Sequence, residues 1–246
     1  MQGKKRLRVF AGPNGSGKST LFNVFKKNFN PGYFVNADEL EKLLNNSGLI
    51  DLSAFDISAR PKDLLAYSKT KEAKTLLEKA GKEGHSINVQ IKENFIVDRA
   101  KETHSYEGSF VAAFLRWLLY KNNASFSFET VMSDRSKIAE LKKAKKNNYK
   151  IYLYFICTDN AEINITRVAS RVEKGGHPVN ENKIRTRYQK TLENLYPVIK
   201  LVNRAYLFDN SGETMELIGE IFEGSLQLKV DSPPQWFIEY VLPYYN

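Results

Sequence analysis

The chain has 246 residues, carries a net charge of +9 at pH 7 and has a pI near 9.4. Its 42% of apolar residues are enough to bury a sizeable core, and the basic charge suits an acidic ligand such as a nucleotide or a nucleic acid. The single cysteine, Cys157, excludes an internal disulfide bond and a cysteine-rich metal site. Because no segment has the ~18 uncharged apolar residues of a membrane span, and the N-terminus lacks the apolar stretch of a signal peptide, we expect a cytoplasmic protein with no membrane partner.

Short apolar runs with β-branched and aromatic residues recur along the chain and predict buried strands. These runs cover residues 6–11, 32–37, 125–131, 150–157 and 204–210. Segments with helical spacing lie between them, at 19–29, 136–148, 159–175 and 180–195. Strands that alternate with helices indicate an α/β fold with a mainly parallel sheet flanked by helices on both faces.

Two stretches interrupt this alternation. Residues 51–122 contain two helix-like segments and are interpreted as a helical insertion. Within this stretch, residues 86–91 alternate like a strand, so the sequence leaves open whether they form a helix or a strand. The aromatic-rich C-terminal extension, about 224–246, is expected to pack on the core. Since no linker rich in proline, glycine or serine bounds the insertion, we predict a single domain over 1–246.

The stretch GPNGSGKST, residues 12–20, follows the first predicted strand and precedes the first predicted helix. It matches G-x-x-x-x-G-K-[ST], in which glycines let the backbone turn tightly and point its N–H groups at phosphate oxygens. Lys18 can reach the β- and γ-phosphates of ATP, and the Ser19 hydroxyl can ligate Mg²⁺. The predicted nucleotide-binding residues are Gly12, Pro13, Asn14, Gly15, Ser16, Gly17, Lys18, Ser19 and Thr20.

The loop is also similar to that of transporter-type ATPases. Those proteins carry an LSGGQ-like signature and an apolar strand that ends in Asp-Glu. The chain has neither, because its one Asp-Glu pair, Asp38 with Glu39, opens a helical pattern. We therefore set this class aside.

Two acidic residues follow predicted strands, where open α/β sheets place their ligands. Asp38 follows YFVNA, and Glu129 follows SFSF. A phosphotransferase needs one carboxylate to accept the proton of the attacking hydroxyl and others to hold the substrate or Mg²⁺. Two alternatives stay open: Asp38 as the N-cap of the next helix, and Glu129 as an edge position exposed to water.

The segment 159–195 predicts two helices joined by a flexible tip. Asp159 and Glu162 form a start that resembles a capping box, and the glycine pair 175–176 predicts a stop. The glycine pair and His177 are interpreted as the tip of a lid, with a structural role for His177.

The first of these helices has a basic face. Arg167, Arg171 and Lys174 follow at i, i+4 and i+7 and lie opposite its apolar side. Since Arg167 and Arg171 repel each other, they would be more stable opposite an anion, and a phosphoryl group in transfer is such an anion. The alternative is a basic face that is simply solvated.

Six segments together resemble one family. In chain order they are AGPNGSGKST, FVNADEL, FSFETV, YLYFI, RVASRVEKGGHPVNENKIRTRY and LFDNS. They resemble the zeta toxin family of P-loop kinases, in particular its chromosomal ATPase branch. The resemblance covers most of residues 5–212, is weakest over 51–122 and is absent over roughly the last thirty residues. It implies a P-loop fold of the nucleotide- and shikimate-kinase type, and ATP-dependent phosphorylation of UDP-N-acetylglucosamine on its sugar hydroxyl.

The resemblance also implies roles for single residues. Lys18 matches the P-loop lysine, Asp38 the catalytic base and Glu129 a substrate-binding acid, and the arginine-rich lid spans about 167–187. The catalytic residues implied or proposed are Lys18, Asp38, Arg167 and Arg171. The substrate-binding candidates are Glu129, Thr130, Arg185 and Arg187, of which the two arginines are also alternative lid residues.

We therefore predict a cytoplasmic kinase that transfers the γ-phosphoryl group of ATP, with Mg²⁺, to a hydroxyl of a small phosphate-containing acceptor. Two other functions stay open: a polynucleotide-end or nucleoside kinase, and a non-catalytic ATP-binding interaction protein. An antitoxin protein is a candidate partner. Since the sequence contains no recognisable nucleic-acid-binding module, we expect no sequence-specific binding of DNA or RNA.

Overall fold

The computed structural model describes residues 5–99, 104–176 and 178–245. The described strands are β1 (Arg6–Ala11), β2 (Tyr33–Val35), β3 (Leu49–Asp51), β4 (Val89–Lys92), β5 (Phe95–Asp98), β6 (Phe126–Thr130), β7 (Lys150–Cys157), β8 (Arg204–Asp209), β9 (Glu216–Phe222) and β10 (Ser225–Leu228). The described helices are α1 (Lys18–Asn28), α2 (Ala37–Ser47), α3 (Pro61–Ser68), α4 (Lys71–Lys82), α5 (Ser105–Lys121), α6 (Ser136–Lys146), α7 (Ala161–Glu173), α8 (Glu181–Ile199) and α9 (Gln235–Tyr240). The chain divides into two compact units. The first unit comprises Met1–Pro31 and Ser127–Asn246, and the second unit comprises Gly32–Phe126.

The strands of the first unit form a sheet in the order β10-β9-β8-β7-β1-β6, with β6 counted from residue 127 onward. β7 pairs in parallel with both β1 and β8, whereas β9 pairs antiparallel with both β8 and β10. The register aligns Phe10 with Tyr154, and Tyr154 with Tyr206. The α/β fold class predicted from the sequence is confirmed, and the five predicted strands correspond to β1, β2, β6, β7 and β8.

Side chains alternate between the two faces of the sheet along each strand. On one of these faces the side chains of β1, β7 and β8 are fully buried. The residues of this face, each at most 1% exposed, are Leu7, Val9, Ala11, Ile151, Leu153, Phe155, Ala205 and Leu207. Trp236 of α9 packs on Phe155 with the ring centroids 5.7 Å apart, and Phe237 is also buried. The aromatic C-terminal extension thus packs on the core, as its composition predicted.

The second unit is organised around α5. Val111, Leu115 and Leu119 of this helix are buried, so three successive turns contribute to the core of the unit. α5 packs closely on α2 at Gly108, where a Cβ atom would come within 2.8 Å of the Ala37 carbonyl oxygen. A residue without a side chain is therefore needed at this contact.

The second unit also contains an antiparallel sheet in the order β3-β5-β4. The insertion predicted over 51–122 thus contains strands as well as the helices α3, α4 and α5, and the open segment 86–91 runs into β4. The turn between β4 and β5 consists of Glu93 and Asn94, with φ angles of 49° and 67°. Two consecutive left-handed residues are typical of a type I′ hairpin, whose twist matches that of the flanking strands.

Two helix caps differ from the sequence predictions. The N-cap of α2 is Asn36, whose Oδ1 accepts hydrogen bonds from the backbone N–H groups of Asp38 and Glu39 at 2.9 and 3.4 Å. Asp38 is therefore not the N-cap. α7 begins after Asn160 rather than Asp159, and the Asn160 side chain accepts hydrogen bonds from the backbone N–H groups of Glu162 and Ile163. Among the described helices, none is long and apolar enough to cross a membrane.

Candidate functional site

The loop between β1 and α1 has a backbone conformation that requires glycine at three positions. Gly12, Gly15 and Gly17 have φ angles of 149°, 75° and 101°. A Cβ atom on Gly12 would lie 1.9 Å from the Ile156 carbonyl oxygen, which is a fixed atom of the neighbouring strand β7. The loop thus forms a tight cradle around the N-terminus of α1, where backbone N–H groups and the helix dipole favour an anion.

Side chains from distant parts of the first unit hold this cradle in place. Asn164 of α7 donates its Nδ2 hydrogen to the carbonyl oxygen of Asn14 at 2.6 Å. Asn210, directly after β8, donates to the carbonyl oxygen of Ser16 at 2.8 Å. The hydroxyl of Thr158 donates to Asn164 Oδ1 at 2.6 Å and so fixes the orientation of that amide. Both asparagine amides therefore bind carbonyl oxygens of the loop and not its N–H groups.

The side chains of the cradle fit a polyphosphate. Lys18 Nζ donates to the Pro13 carbonyl oxygen at 2.8 Å, so the ammonium group is held next to the loop. Among the described residues, neither Ser16 Oγ nor Asn14 Oδ1 has a hydrogen-bond partner, although both atoms are buried. Buried polar atoms without a partner are costly, and a bound phosphate group would supply an acceptor for the Ser16 hydroxyl.

A hydroxyl and a carboxylate meet beside the cradle. Ser19 Oγ donates to Glu129 Oε2 at 3.1 Å, although the two residues are 110 positions apart in the sequence. The end of β6 is brought here by a backbone hydrogen bond from Gly12 N–H to the Thr130 carbonyl oxygen at 3.2 Å. Hard oxygen ligands of this kind suit Mg²⁺, which commonly uses one or two carboxylates together with substrate phosphates. The Thr130 hydroxyl accepts a hydrogen bond from Met132 N–H at 3.0 Å and thereby stabilises the turn that follows β6.

Asp38 lies in the second unit, as the second residue of α2, and its side chain is exposed. The sequence prediction that it acts as a catalytic base stays a prediction. Among the described residues, no group of three or more His, Cys, Asp or Glu side chains could hold a metal ion.

The four candidate arginines of the lid differ in their contacts. Arg167 donates through its two terminal nitrogens to the carbonyl oxygens of Asn210 and Gly212, at 2.6 and 3.3 Å. It therefore anchors the loop that carries Asn210. Arg171, one turn further along α7, has an exposed side chain and is the last arginine before the glycine pair.

The other two lie on α8. Arg185 forms ion pairs with Glu162 at 2.6 Å and with Glu181 at 3.8 Å. Arg187 is half-buried, and its carbonyl oxygen accepts a hydrogen bond from the Thr191 hydroxyl at 2.6 Å. His177, the predicted tip of the lid, lies outside the described residues.

The half-buried Tyr188 and the buried Cys157 lie near this region and have structural roles. Tyr188 donates its hydroxyl hydrogen to the carbonyl oxygens of Thr158 and Asp159, at 2.7 and 3.0 Å. Burial raises the pKa of the Tyr188 phenol and that of the Cys157 thiol. A thiol with a raised pKa is a weak nucleophile, so Cys157 is a core residue, as its apolar segment indicated.

The asparagines 164 and 210 were missed by the sequence predictions. Asn210 was quoted in LFDNS as part of the family resemblance but received no role, and Asn164 sits on the apolar side of its helix. A polar residue on a buried helix face is the signal that could have identified it, because such a residue needs a hydrogen-bond partner.

No protein-family model matches the chain. A 68-residue segment is 35% identical to an uncharacterized protein of Haemophilus influenzae, and this match covers 28% of the chain and 49% of that protein. Among solved structures, a chain of the AvrRxo1-ORF1:AvrRxo1-ORF2 complex matches with a TM-score of 0.50 and 16% identity, over 92% of this chain and 61% of that one. A chain of the PezAT toxin–antitoxin system of Streptococcus pneumoniae matches with a TM-score of 0.49 and 13% identity, over 87% of this chain and 73% of that one.

The chain thus spans about half the length of the curated relative that it matches and about three fifths of the AvrRxo1 complex chain. At 16% identity, the likeness to that chain is one of fold. The chain therefore shares the α/β fold of the AvrRxo1 complex chain, with a glycine cradle at the start of its first helix.

Proposed function

We propose that this chain is an ATP-dependent kinase of the zeta toxin type. It transfers the γ-phosphoryl group of ATP to a hydroxyl of a nucleotide-containing acceptor such as UDP-N-acetylglucosamine. The observation that carries this proposal is the glycine cradle with Lys18 beside it and the Ser19–Glu129 pair at its edge. A cradle, a lysine and a hydroxyl in this arrangement are the parts with which P-loop kinases hold the phosphates.

The chain's own residues would position the reacting groups. The loop N–H groups and Lys18 hold the β- and γ-phosphates in place, and Asn164 and Asn210 keep the loop in the shape that allows this. Ser19 and Glu129 offer oxygen ligands for Mg²⁺. Bound Mg²⁺ would neutralise the negative charge that accumulates on the phosphate oxygens.

The remaining roles follow the sequence predictions. Asp38 accepts the proton of the acceptor hydroxyl, and Arg171 stabilises charge on the transferred group. Glu129 has two candidate roles, because its contact with Ser19 favours a place at the metal whereas the resemblance implied a place at the substrate. A Glu129→Gln variant distinguishes the two roles. If Glu129 is a metal ligand, the variant should need a higher Mg²⁺ concentration for half-maximal activity. If Glu129 is a substrate ligand, the variant should have a higher KM for the acceptor.

The proposal is tested by incubating the purified chain with Mg²⁺, ATP and UDP-N-acetylglucosamine and following the mass of the acceptor. We expect the acceptor to gain one phosphate and ATP to become ADP. Lys18→Ala should abolish this transfer, whereas Lys27→Ala, an exposed lysine of the same helix, should leave it unchanged. If no acceptor in a metabolite pool gains phosphate, while ATP still binds, the non-catalytic alternative is correct.

A second test addresses the base. Asp38→Asn should retain ATP affinity and lose turnover, because the amide has the same shape but cannot accept the proton. Unchanged turnover in a folded variant would contradict the role of Asp38 as the catalytic base.

An antitoxin partner belongs to the same proposal. A small antitoxin that is encoded by a neighbouring gene and inhibits the transfer would support it.

A further inference from the structure

The C-terminal extension contains a helix, α9, that carries one of the two tryptophans of the chain. The Trp236 side chain is 2% exposed and packs on Phe155 of β7 and on its neighbour Phe237, with ring centroids 5.7 and 5.6 Å apart. A phenylalanine could make the same apolar contacts. A buried tryptophan also needs a hydrogen-bond acceptor for its indole N–H group, and the position of that acceptor gives Trp236 a further role.

The indole N–H group of Trp236 donates to a carboxylate at the end of β8. Its Nε1 atom lies 2.8 Å from Asp209 Oδ2. The same carboxylate accepts two hydrogen bonds from Ser211, one from the backbone N–H group at 2.9 Å and one from the hydroxyl at 3.0 Å. We name residues 210–215 the β8–β9 loop. Because hydrogen bonds to a carboxylate are stronger than those between neutral groups, Asp209 fixes the start of this loop.

The β8–β9 loop contacts the cradle directly. Asn210 donates its Nδ2 hydrogen to the Ser16 carbonyl oxygen at 2.8 Å. A Cβ atom on Gly17 would lie 2.5 Å from Asn210 Nδ2 and 3.1 Å from Met215 Cε, so the loop and the cradle also touch at this glycine. A displaced loop would therefore take the donor away from Ser16 and open a gap at Gly17.

A second branch leads from the β8–β9 loop to the other asparagine that supports the cradle. The Ser211 hydroxyl oxygen accepts a hydrogen bond from the Asp159 N–H group at 2.8 Å. The residue before it, Thr158, donates to Asn164 at 2.6 Å and orients the amide that binds the cradle. Asp209 is thus connected to both supports, through hydrogen bonds and adjacent residues.

We propose that Trp236 is a positioning residue for the cradle. Its indole N–H group holds Asp209, and Asp209 holds the β8–β9 loop in the conformation in which Asn210 fixes the cradle. The C-terminal extension, which lies outside the resemblance to the zeta toxin family, thereby helps to set the affinity for ATP. The effect on ATP rests on the proposed function, whereas the coupling between Trp236 and the cradle does not.

The coupling is tested without nucleotide, by hydrogen exchange of single backbone amides in the full chain. Trp236→Phe keeps an aromatic ring in the core but removes the N–H donor. We expect the hydrogen-bonded amides of Asn210, Ser211 and Ser16 to exchange at least ~5-fold faster, because the loop opens more often. The matched control Trp117→Phe makes the same change on α5 of the second unit and should leave these amides unchanged. If Trp236→Phe accelerates exchange only in α9 and β7, Trp236 is a core residue and the proposal is wrong.

The affinity for ATP gives a second readout. If the loop leaves its conformation in part of the molecules, the apparent Kd for ATP rises as the competent fraction falls. Trp236→Phe should raise the Kd and the KM for ATP at least ~5-fold and leave kcat at saturating ATP nearly unchanged, whereas Trp117→Phe should match the wild type. Binding is weakened rather than lost, because Arg167 still holds the carbonyl oxygens of Asn210 and Gly212. If the wild type binds no ATP, the proposed function fails, and the exchange measurement alone decides the role of Trp236.

A second variant tests whether Trp236 acts through the carboxylate. Asp209→Asn leaves one carbonyl oxygen for donors on both sides of the group, so it should weaken ATP binding at least as much as Trp236→Phe. A thermal melt confirms that each variant is folded at the assay temperature. If both changes break the same contact, the double variant should be no worse than Asp209→Asn alone. Fully additive losses, or a wild-type Kd for ATP in Trp236→Phe, would overturn the proposal.

Discussion

Different interactions stabilise the structure inside each of the two units. In the first unit, the functional loop owes its shape to positive φ angles and to amide side chains that bind its carbonyl oxygens. In the second unit, an apolar helix and buried acidic residues organise the structure: Glu107 is fully buried on α5, and Asp63 accepts hydrogen bonds from Lys121 and from the Arg60 N–H group. Substitutions in the loop of the first unit should therefore affect ligand binding and turnover, whereas substitutions at the buried positions of the second unit should affect stability first.

The largest effect is expected at Gly12. Gly12→Ala would place a Cβ atom 1.9 Å from the Ile156 carbonyl oxygen and would force a side chain into a left-handed conformation. We expect ATP binding, measured by isothermal titration calorimetry, to be lost. Gly212→Ala is the matched control, because a Cβ atom there would meet no atom within 4 Å. Wild-type ATP affinity in Gly12→Ala would show that the cradle does not hold the nucleotide.

The next largest effect is expected at Arg171. Arg171→Ala should lower kcat by at least ~10²-fold with a smaller change in the Kd for ATP, as for an interaction made mainly in the transition state. Arg171→Lys should restore activity only in part, since an ammonium group cannot form a bidentate contact. The control is Arg185→Ala, whose guanidinium group is paired with Glu162 and Glu181. If Arg185→Ala is the inactive variant instead, the charge-stabilising role belongs to α8.

In the second unit, the same change of glycine to alanine should act on stability. Gly108→Ala would bring a Cβ atom within 2.8 Å of Ala37 O and of Glu41 Cβ, so we expect a loss of about 1–3 kcal/mol in the free energy of unfolding. Gly81→Ala, near the end of α4 and with no atom within 4 Å, should instead stabilise the protein slightly. Both are measured by urea denaturation. A stable Gly108→Ala variant would break the contrast between the two units.

The smallest effect concerns the pH dependence of stability. Burial raises the pKa of Glu107 above its usual 4.5, and the nearby carboxylate of Asp98 raises it further. Because the folded state binds this proton more tightly than the unfolded state, the stability that it contributes is complete below pH 4.5 and is lost as the pH rises through the raised pKa. Glu107→Gln should remove this slope from a series of urea denaturations. An unchanged slope would mean that another group titrates there.

Much of the first unit could be predicted because its signals are contiguous in the sequence. The cradle is a run of nine residues, and β1, β7 and β8 are apolar runs of ordinary strand length. β9 was missed because Gly219 and Glu220 interrupt its apolar pattern; the glycine is needed there because the Phe237 ring lies 3.1 Å from the place of its Cβ. The supporting role of Asn210 could not be predicted, since it depends on a partner far away in the sequence.

The second unit was harder to predict for a related reason. The hairpin between β4 and β5 turns at Glu93 and Asn94, without the glycine that usually marks such a turn. It is stabilised instead by the Asn94 side chain, whose Oδ1 accepts a hydrogen bond from Ala59 N–H and whose Nδ2 donates to the Ile57 carbonyl oxygen, both at 3.0 Å. Contacts of this kind leave no local pattern in the sequence.

The separation between the cradle and its supports has a consequence for how the protein is made. Asn164 follows the loop carbonyl that it binds by 150 residues, and Asn210 follows its own by 194 residues. On the ribosome, the glycine loop emerges early, but the side chains that fix it emerge only after the entire second unit. A nascent chain that stops before residue 210 thus carries the complete phosphate-binding motif without its complete scaffold. The capacity to hold a nucleotide should therefore arise late in synthesis, when β8 joins the sheet.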